Sequence, residues 1–341
     1  MSEATVTSQL LDVPSKVMGT NVKVSVLLPP GFDTSQELPL LINLHGGGGD
    51  RMSLIGQAPL YQRMFEEQML PPLVVVSFSS GPIGFYFGAW EQWVCEELPD
   101  WANKTFGTRT DRDHTLMTGI SMGGYGSLKI GFKYPDRFRA IAPMEPAIMP
   151  ILEWPEQFMR PSWFLPEASI ESIWTSHQEF LDDNPANIVV QKADEIRSSG
   201  MEIYLEVGDE DHINLHDGAE FLHRILWDND IRHDYHLVRW ADHVGVSMER
   251  RIYEAHTFLG AAMKGGLSEP IDLPLTSEEQ TFADYQFSGA AERGEPAPEF
   301  DMMSDPYRAP SIHAALWKPL RELAHGDTNM KRAYGILPDS K

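Results

Sequence analysis

Seven apolar runs punctuate the chain: VKVSVLLP (22–29), PLLINLH (39–45), LVVVSF (73–78), HTLMTGI (114–120), RAIAPM (139–144), MEIYLEV (201–207) and HDYHLVRW (233–240). Several lack polar alternation, as expected of strands covered on both faces. Between them, helical spacing of apolar positions runs over 54–68, 90–106, 125–134, 219–227 and 244–263. Strand and helix therefore alternate, which predicts an α/β fold with a mostly parallel central sheet and helices on both faces.

Two regions break this rhythm. Residues 145–199 are rich in Pro, Trp and Met (MPILEWPEQFMRPSWFLPEAS), with short helical stretches after them, and fall between two predicted strands. An insertion so placed is expected to lie over the end of the sheet as a cap. Residues 265–341 follow the last strong helix with Pro, acidic residues and no clear strand, though SIHAALWKPLRELAHG has helical spacing at Ile312, Leu316, Leu320 and Leu323. The expected organisation is a catalytic domain over 1–264 and a C-terminal extension over 265–341. That extension would pack on the body or on a neighbouring subunit, which makes a homo-oligomer a candidate assembly.

The length of 341 residues suits one large domain or two small ones, since domains usually run to roughly 100–200 residues. A hydrophobic content of 42%, with 9 Trp, 16 Phe and 10 Tyr, supplies a full core and excludes wholesale disorder. The net charge of −23 repels phosphate backbones and anionic headgroups, so neither nucleic acid nor membrane is an expected partner. One cysteine, Cys95, allows no intrachain disulfide and sits in a helical pattern without metal-ligand spacing, as a buried structural thiol would. The opening MSEATVTSQLLDVPSK lacks a basic region followed by an apolar stretch, and no run of about 18 apolar residues occurs, so the expected location is cytoplasmic.

Candidate chemistry centres on GISMGG. Gly119 and Gly123 flank Ser121 in the G-x-S-x-G pattern, directly after an apolar strand and directly before a helical stretch. That context is the one a nucleophile elbow demands, with small residues around a serine exposed at a helix start. A serine needs a base to take its proton and a carboxylate to hold that base, in the chain order Ser, acid, His. Downstream, a strand ending at Val207 leads into a turn with Asp209, Glu210 and Asp211, of which Asp211 is the expected acid and Asp209 the next choice. A later strand ending at Trp240 is followed by His243 in a short loop before a helix from about Val244, which makes His243 the expected base; His212 and His216 are its rivals. The glycine run in LINLHGGGGDR would bring amides to a developing oxyanion, from Gly47 with Gly46 and Gly48 as alternatives, while Met122 would supply the second donor. The run lacks the G-K-[ST] ending of a phosphate loop, and His45 is expected to orient it.

LHGGGGDR, WEQWVCEELPDWANKTFG, TGISMGGYGSLKIGFKYPDRF, GDEDHINLHDGAEFL and WADHVG, spread from Val22 to Leu259, resemble the esterase family that includes esterase D (S-formylglutathione hydrolase), microbial feruloyl esterases and the mycolyltransferases of antigen 85. The resemblance implies an α/β-hydrolase fold, a serine acyl-enzyme, no metal and no cofactor, and its motif positions fall on Ser121, Asp211 and His243. It also implies that Trp90 lies near an acyl pocket. The insertion and the tail depart from the family and leave the substrate open. The expected activity is hydrolysis of a neutral short-chain or aryl carboxylic ester, with FYFGAW (85–90), Trp154, Trp163 and Phe164 as candidate pocket residues. Acyl transfer, thioester hydrolysis of S-formylglutathione and a non-catalytic binding protein of the same fold are the alternatives.

Overall fold

The computed structural model describes residues 5–153, 174, 176–265, 276–290 and 293–299. All seven apolar runs form strands, and an eighth precedes them: β1 (Thr7–Pro14), β2 (Asn21–Leu28), β3 (Leu40–Leu44), β4 (Val74–Phe78), β5 (Thr115–Ile120), β6 (Ala140–Met144), β7 (Glu202–Gly208) and β8 (Asp234–Val238). They form one sheet in the order β1-β2-β4-β3-β5-β6-β7-β8. β2 pairs antiparallel with β1 and with β4, and every other pairing is parallel.

The helices are α1 (Met52–Ile55), α2 (Ala58–Glu66), α3 (Ala89–Gln92), α4 (Leu98–Phe106), α5 (Met122–Lys133), α6 (His177–Asp183), α7 (Pro185–Ser199), α8 (Leu215–Asp228), α9 (Met248–Met263) and α10 (Ser277–Phe287). Successive residues of one strand feed opposite cores. Leu40, Ile42 and Leu44 join α4, α5, α7 and α8 on one face, whereas Leu41 joins α2 and α9 on the other. Two covered faces explain why β3 and β4 are buried at every position.

The helical run over 90–106 is interrupted. Trp93–Glu97 adopts a π-helical turn between α3 and α4 and buries Trp93, Val94 and Cys95. Pro99, at the start of α4, has no N–H and its ring would crowd the carbonyl of Cys95, so the ladder widens there. The helix expected from Val244 begins instead at Met248, with Gly245 in the intervening loop.

Within the α2/α9 face, His256 is fully buried. Its Nδ1–H donates to the Ile252 carbonyl at 2.7 Å, and its Nε2 accepts from the Tyr61 hydroxyl at 2.8 Å. Burial pushes its pKa down to about 4. The unfolded chain, with an ordinary value near 6.5, therefore binds an extra proton between pH 6.5 and 4, so this contribution to stability is complete above pH 6.5 and lost as pH falls toward 4. The loss is roughly 3 kcal/mol for a shift of this size. Urea unfolding midpoints of the protein and of His256→Gln from pH 7 to 4 check it: the wild-type midpoint should fall more steeply with acid, and parallel curves would refute the assignment.

The chain divides into two compact units, Met1–Leu267 and Ser268–Lys341. Within the second, α10 is the described element. Residues 154–173, which hold the core of the expected cap with Trp154, Trp163 and Phe164, and residues 300–341 of the tail lie outside the described residues. Among the described residues no helix is long and apolar enough to cross a membrane.

Candidate active site

β5 ends at Ile120, and Ser121 stands alone between it and the first residue of α5. Its backbone has φ 57° and ψ −116°, a region sparsely populated by residues with a side chain and costing on the order of 1–3 kcal/mol. The fold clamps it there: the Ser121 amide donates to the Met144 carbonyl at 2.9 Å, and its own carbonyl accepts from Tyr125 and Ala147. Both flanking glycines are required by close approach. A Cβ on Gly119 would lie 2.3 Å from the Gly123 carbonyl oxygen, and one on Gly123 would lie 2.1 Å from that of Leu44.

The carboxyl ends of β7 and β8 deliver the other two groups. His243 Nε2 lies 3.1 Å from Ser121 Oγ, and His243 Nδ1 lies 3.2 Å from Asp211 Oδ2. Asp211 is 2% exposed and His243 7%, so their contact is shielded from bulk water, while Ser121 keeps partial exposure. An acceptor carboxylate at Nδ1 selects the tautomer that leaves Nε2 free to accept the serine proton. Asp211 is held in turn by the Ile213 amide, which donates to its Oδ1 at 2.7 Å.

The neighbouring candidates do other work. Asp209 accepts from the Trp240 amide at 2.6 Å and ties the acid turn to the histidine loop, while Glu210 is exposed. His212 is exposed and pairs with Asp242 at 2.7 Å. That bond and the amides of His243 and His212 pull the Asp242 carboxyl down to about 2. His216 lies 3.8 Å from Asp217. Gly208 has no room for a Cβ, which would fall 2.1 Å from the Ala241 carbonyl oxygen, so the two loops are packed backbone to backbone.

Of the four glycines after β3, Gly48 donates its amide to Pro82 and Gly49 to Gly46. Gly46 runs beside the serine: a Cβ on it would lie 3.2 Å from the Ile120 carbonyl oxygen and 3.6 Å from Ser121 Cβ. Gly47 follows Gly46 in this loop, and Met122 follows Ser121 directly as the first residue of α5, where helix amides lack intrahelical partners. The loop is braced through His45, which is buried and whose pKa burial lowers. The Ser80 amide donates to its Nε2 at 3.1 Å, which puts the proton on Nδ1, 2.8 Å from the Gly46 carbonyl. The Tyr86 hydroxyl donates to the His45 carbonyl, and the buried Lys129 of α5 donates to the Tyr86 carbonyl at 2.7 Å.

The four aromatic residues of segment 85–90 pack on the core, two of them only partly buried. Phe85 and Tyr86 are buried, and Trp90 stacks on Phe78 with ring centroids 5.2 Å apart.

One group escaped the sequence reading. Glu145 directly follows β6, is fully buried and faces His243 Nδ1 with Oε2 at 3.9 Å. Its Oε1 accepts from the Gly208 amide at 3.0 Å and from Arg251, whose Nε also donates to Glu206 at 2.5 Å and whose Nη1 donates to the Asp242 carbonyl at 2.7 Å. Burial pushes Arg251 down to about 10, which leaves it a cation at neutral pH. A lone acid at the end of an apolar strand, in RAIAPMEP, was the available signal. Glu145, Asp211 and His243 place ligand atoms within 4.8 Å of one another, as do Asp211, His212 and Asp242. In the first set Arg251 already supplies positive charge to Glu145, and in the second His212 and Asp242 already bond each other.

The match to a family profile described as "Putative esterase" covers residues 15–244. An esterase of Mycobacterium tuberculosis is 30% identical over 131 residues, 36% of this chain; the match spans 29% of that protein's length. The fold is shared with a ferulic acid esterase (TM-score 0.62, 19% identity, 76% of this chain and 99% of that one). It is shared too with an S-formylglutathione hydrolase from Agrobacterium tumefaciens (TM-score 0.58, 19% identity, 75% and 96%). With the family profile matched over most of its α/β-hydrolase sheet, this chain belongs to the esterase family.

Proposed function

We propose that the protein is a serine carboxylesterase acting on neutral short-chain or aryl esters. The observation that carries the reading is the continuous contact Ser121 Oγ, His243 Nε2, His243 Nδ1, Asp211 Oδ2, at 3.1 and 3.2 Å, on a strained strand-to-helix turn. In this reading Ser121 Oγ attacks the ester carbonyl while its proton passes to Nε2. The oxyanion is met by the amides of Met122 and of Gly47, with Gly46 beside it. His243 then returns the proton to the leaving alcohol, and water, deprotonated by the same Nε2, releases the acid from the acyl-enzyme. Asp211 holds the tautomer and stabilises the imidazolium. A net charge of −23 disfavours anionic acyl or alcohol groups, which supports a neutral ester.

The test is a panel of p-nitrophenyl esters from acetate to long acyl chains, with aryl esters beside them. Turnover should be highest on acetate, butyrate or the aryl esters and fall with longer chains. A maximum on long acyl chains would reject the substrate class. S-formylglutathione in the same panel addresses thioester hydrolysis, which the shared fold with S-formylglutathione hydrolases favours as the second reading. Faster turnover of that thioester than of any ester would make it the better one.

A further inference from the structure

The buried acid behind the histidine is not explained by a three-residue relay. Glu145 is 0% exposed, and among the described residues its Oε2 has no hydrogen-bond partner. An unpaired carboxylate oxygen out of water is expensive unless a cation answers it. Arg251 answers Oε1; Oε2 points at the ring nitrogen that Asp211 also faces, 3.9 Å away. The residue is held there on both sides: its backbone takes φ 46°, and its amide donates to the Glu206 carbonyl at 2.8 Å.

We propose that Glu145 is a second carboxylate for His243, a positioning residue that stabilises the imidazolium alongside Asp211 and takes over its hydrogen bond when Asp211 is absent. The inference rests on the serine-hydrolase reading above. The sheet order makes the arrangement possible. β6 lies between β5, which carries Ser121, and β7, which carries Asp211, so the residue ending β6 enters the same space from the middle. Oε2 needs to move by only about 1 Å to reach ordinary hydrogen-bond distance. A second carboxylate 3.9 Å from Nδ1 gives the positive ring that develops as Ser121 attacks a second counter-charge.

The charged groups around His243 are Asp211 from the β7 turn and Glu145 from β6. Asp242 also bonds the His243 amide, the His212 ring lies 6.1 Å away, and Arg251 of α9 sits behind Glu145. Asp242 and Arg251 keep their charges throughout the working pH range. Glu206 of β7, which shares Arg251 with Glu145, is pushed by burial up to about 8, so it titrates on the alkaline side and the acid limb is the part of the profile that reports residue 145.

The readout is the second-order rate at which a fluorescent fluorophosphonate labels Ser121. Oγ bonds to phosphorus, fluoride leaves, and the serine proton passes to His243 Nε2, so no knowledge of the natural ester is needed. Rates are measured from pH 5 to 9 for the wild type, Ser121→Ala, Asp211→Ala, Glu145→Gln and the double variant Asp211→Ala/Glu145→Gln. Gln keeps an acceptor for Gly208 and Arg251 but presents an amide in place of Oε2. Glu145→Gln alone should slow labelling by no more than about 3-fold, Asp211→Ala by about 10- to 100-fold, and the double variant by at least about 10-fold beyond Asp211→Ala, a non-additive loss. The acid limb of the double variant should also move to lower pH than that of Asp211→Ala. The inference is overturned if Glu145→Gln slows both backgrounds by the same factor with no movement of the acid limb, or if Asp211→Ala alone labels as slowly as Ser121→Ala. Should Asp211→Ala lose its circular dichroism, Asp211→Asn, which keeps an acceptor for the Ile213 amide, replaces it under the same criteria. Labelling of Ser121→Ala at the wild-type rate would instead overturn the serine reading, and this inference with it.

Discussion

Replacing Ser121 with Ala is expected to lower kcat on p-nitrophenyl acetate by between about 10³- and 10⁶-fold, the range seen when a serine nucleophile is removed and only oxyanion donors and binding remain. The substitution removes one oxygen and leaves Cβ, so the φ of 57° and the clamping bonds to Met144, Tyr125 and Ala147 are kept. Urea unfolding should therefore be unchanged within about 0.5 kcal/mol, the usual span for a change that breaks no packing. KM is expected to stay within a few-fold, because the serine acts on the transition state. Retention of more than a tenth of the activity by the folded variant would move the nucleophile elsewhere.

The second large effect is on stability. Arg251→Ala is expected to destabilise the protein by about 3–5 kcal/mol, since it leaves the buried Glu145, and Glu206, whose carboxyl burial pushes up to about 8, without their guanidinium beside one cavity. Arg251 also donates to the Asp242 carbonyl, so the histidine loop loses its tie to β6 and β7 at the same time. A triple change, Arg251→Met with Glu145→Gln and Glu206→Gln, should recover most of the unfolding free energy, because no uncompensated charge remains. Equilibrium urea unfolding checks both proteins. A loss below about 1 kcal/mol for Arg251→Ala would mean that the two acids are neutral or hydrated.

Seven of the eight strands were legible as runs closed by a turn or charged residue. For β2 to β7 these runs are what a sheet covered on both faces needs, whereas β8, at the other edge, has no buried residue and was legible from its Tyr, Leu and Val alone. β1 was not: TSQLLDVP lies at the sheet edge with mostly exposed residues and never gathers an apolar run. Ser121, Asp211 and His243 could be singled out because parallel strands deliver their following residues to one end of the sheet, whatever lies between them in sequence. The adjacency of Glu145 could not, since it depends on β6 lying between β5 and β7. Arg251 shows the same limit within one helix. Its neighbour Arg250 has a side chain 78% exposed while that of Arg251 is 0% exposed; helical spacing puts Arg251 on the stripe of Ala255, Phe258 and Leu259, but does not show which acids meet it there. The π-helical turn before Pro99 was hidden for another reason, because apolar spacing reports a helix without reporting its hydrogen-bond ladder.

The left-handed turn at Ser121 sets working protein against durable protein. A glycine at this position would adopt φ 57° without conflict and relieve the local strain, so the most comfortable residue there is one with no hydroxyl. Selection for folding alone would let the serine go. A serine there, between two glycines that close packing requires, is what the proposed nucleophile role would need at a cost in stability, and gains in thermal resistance should be sought at the α2 and α9 face, away from the elbow.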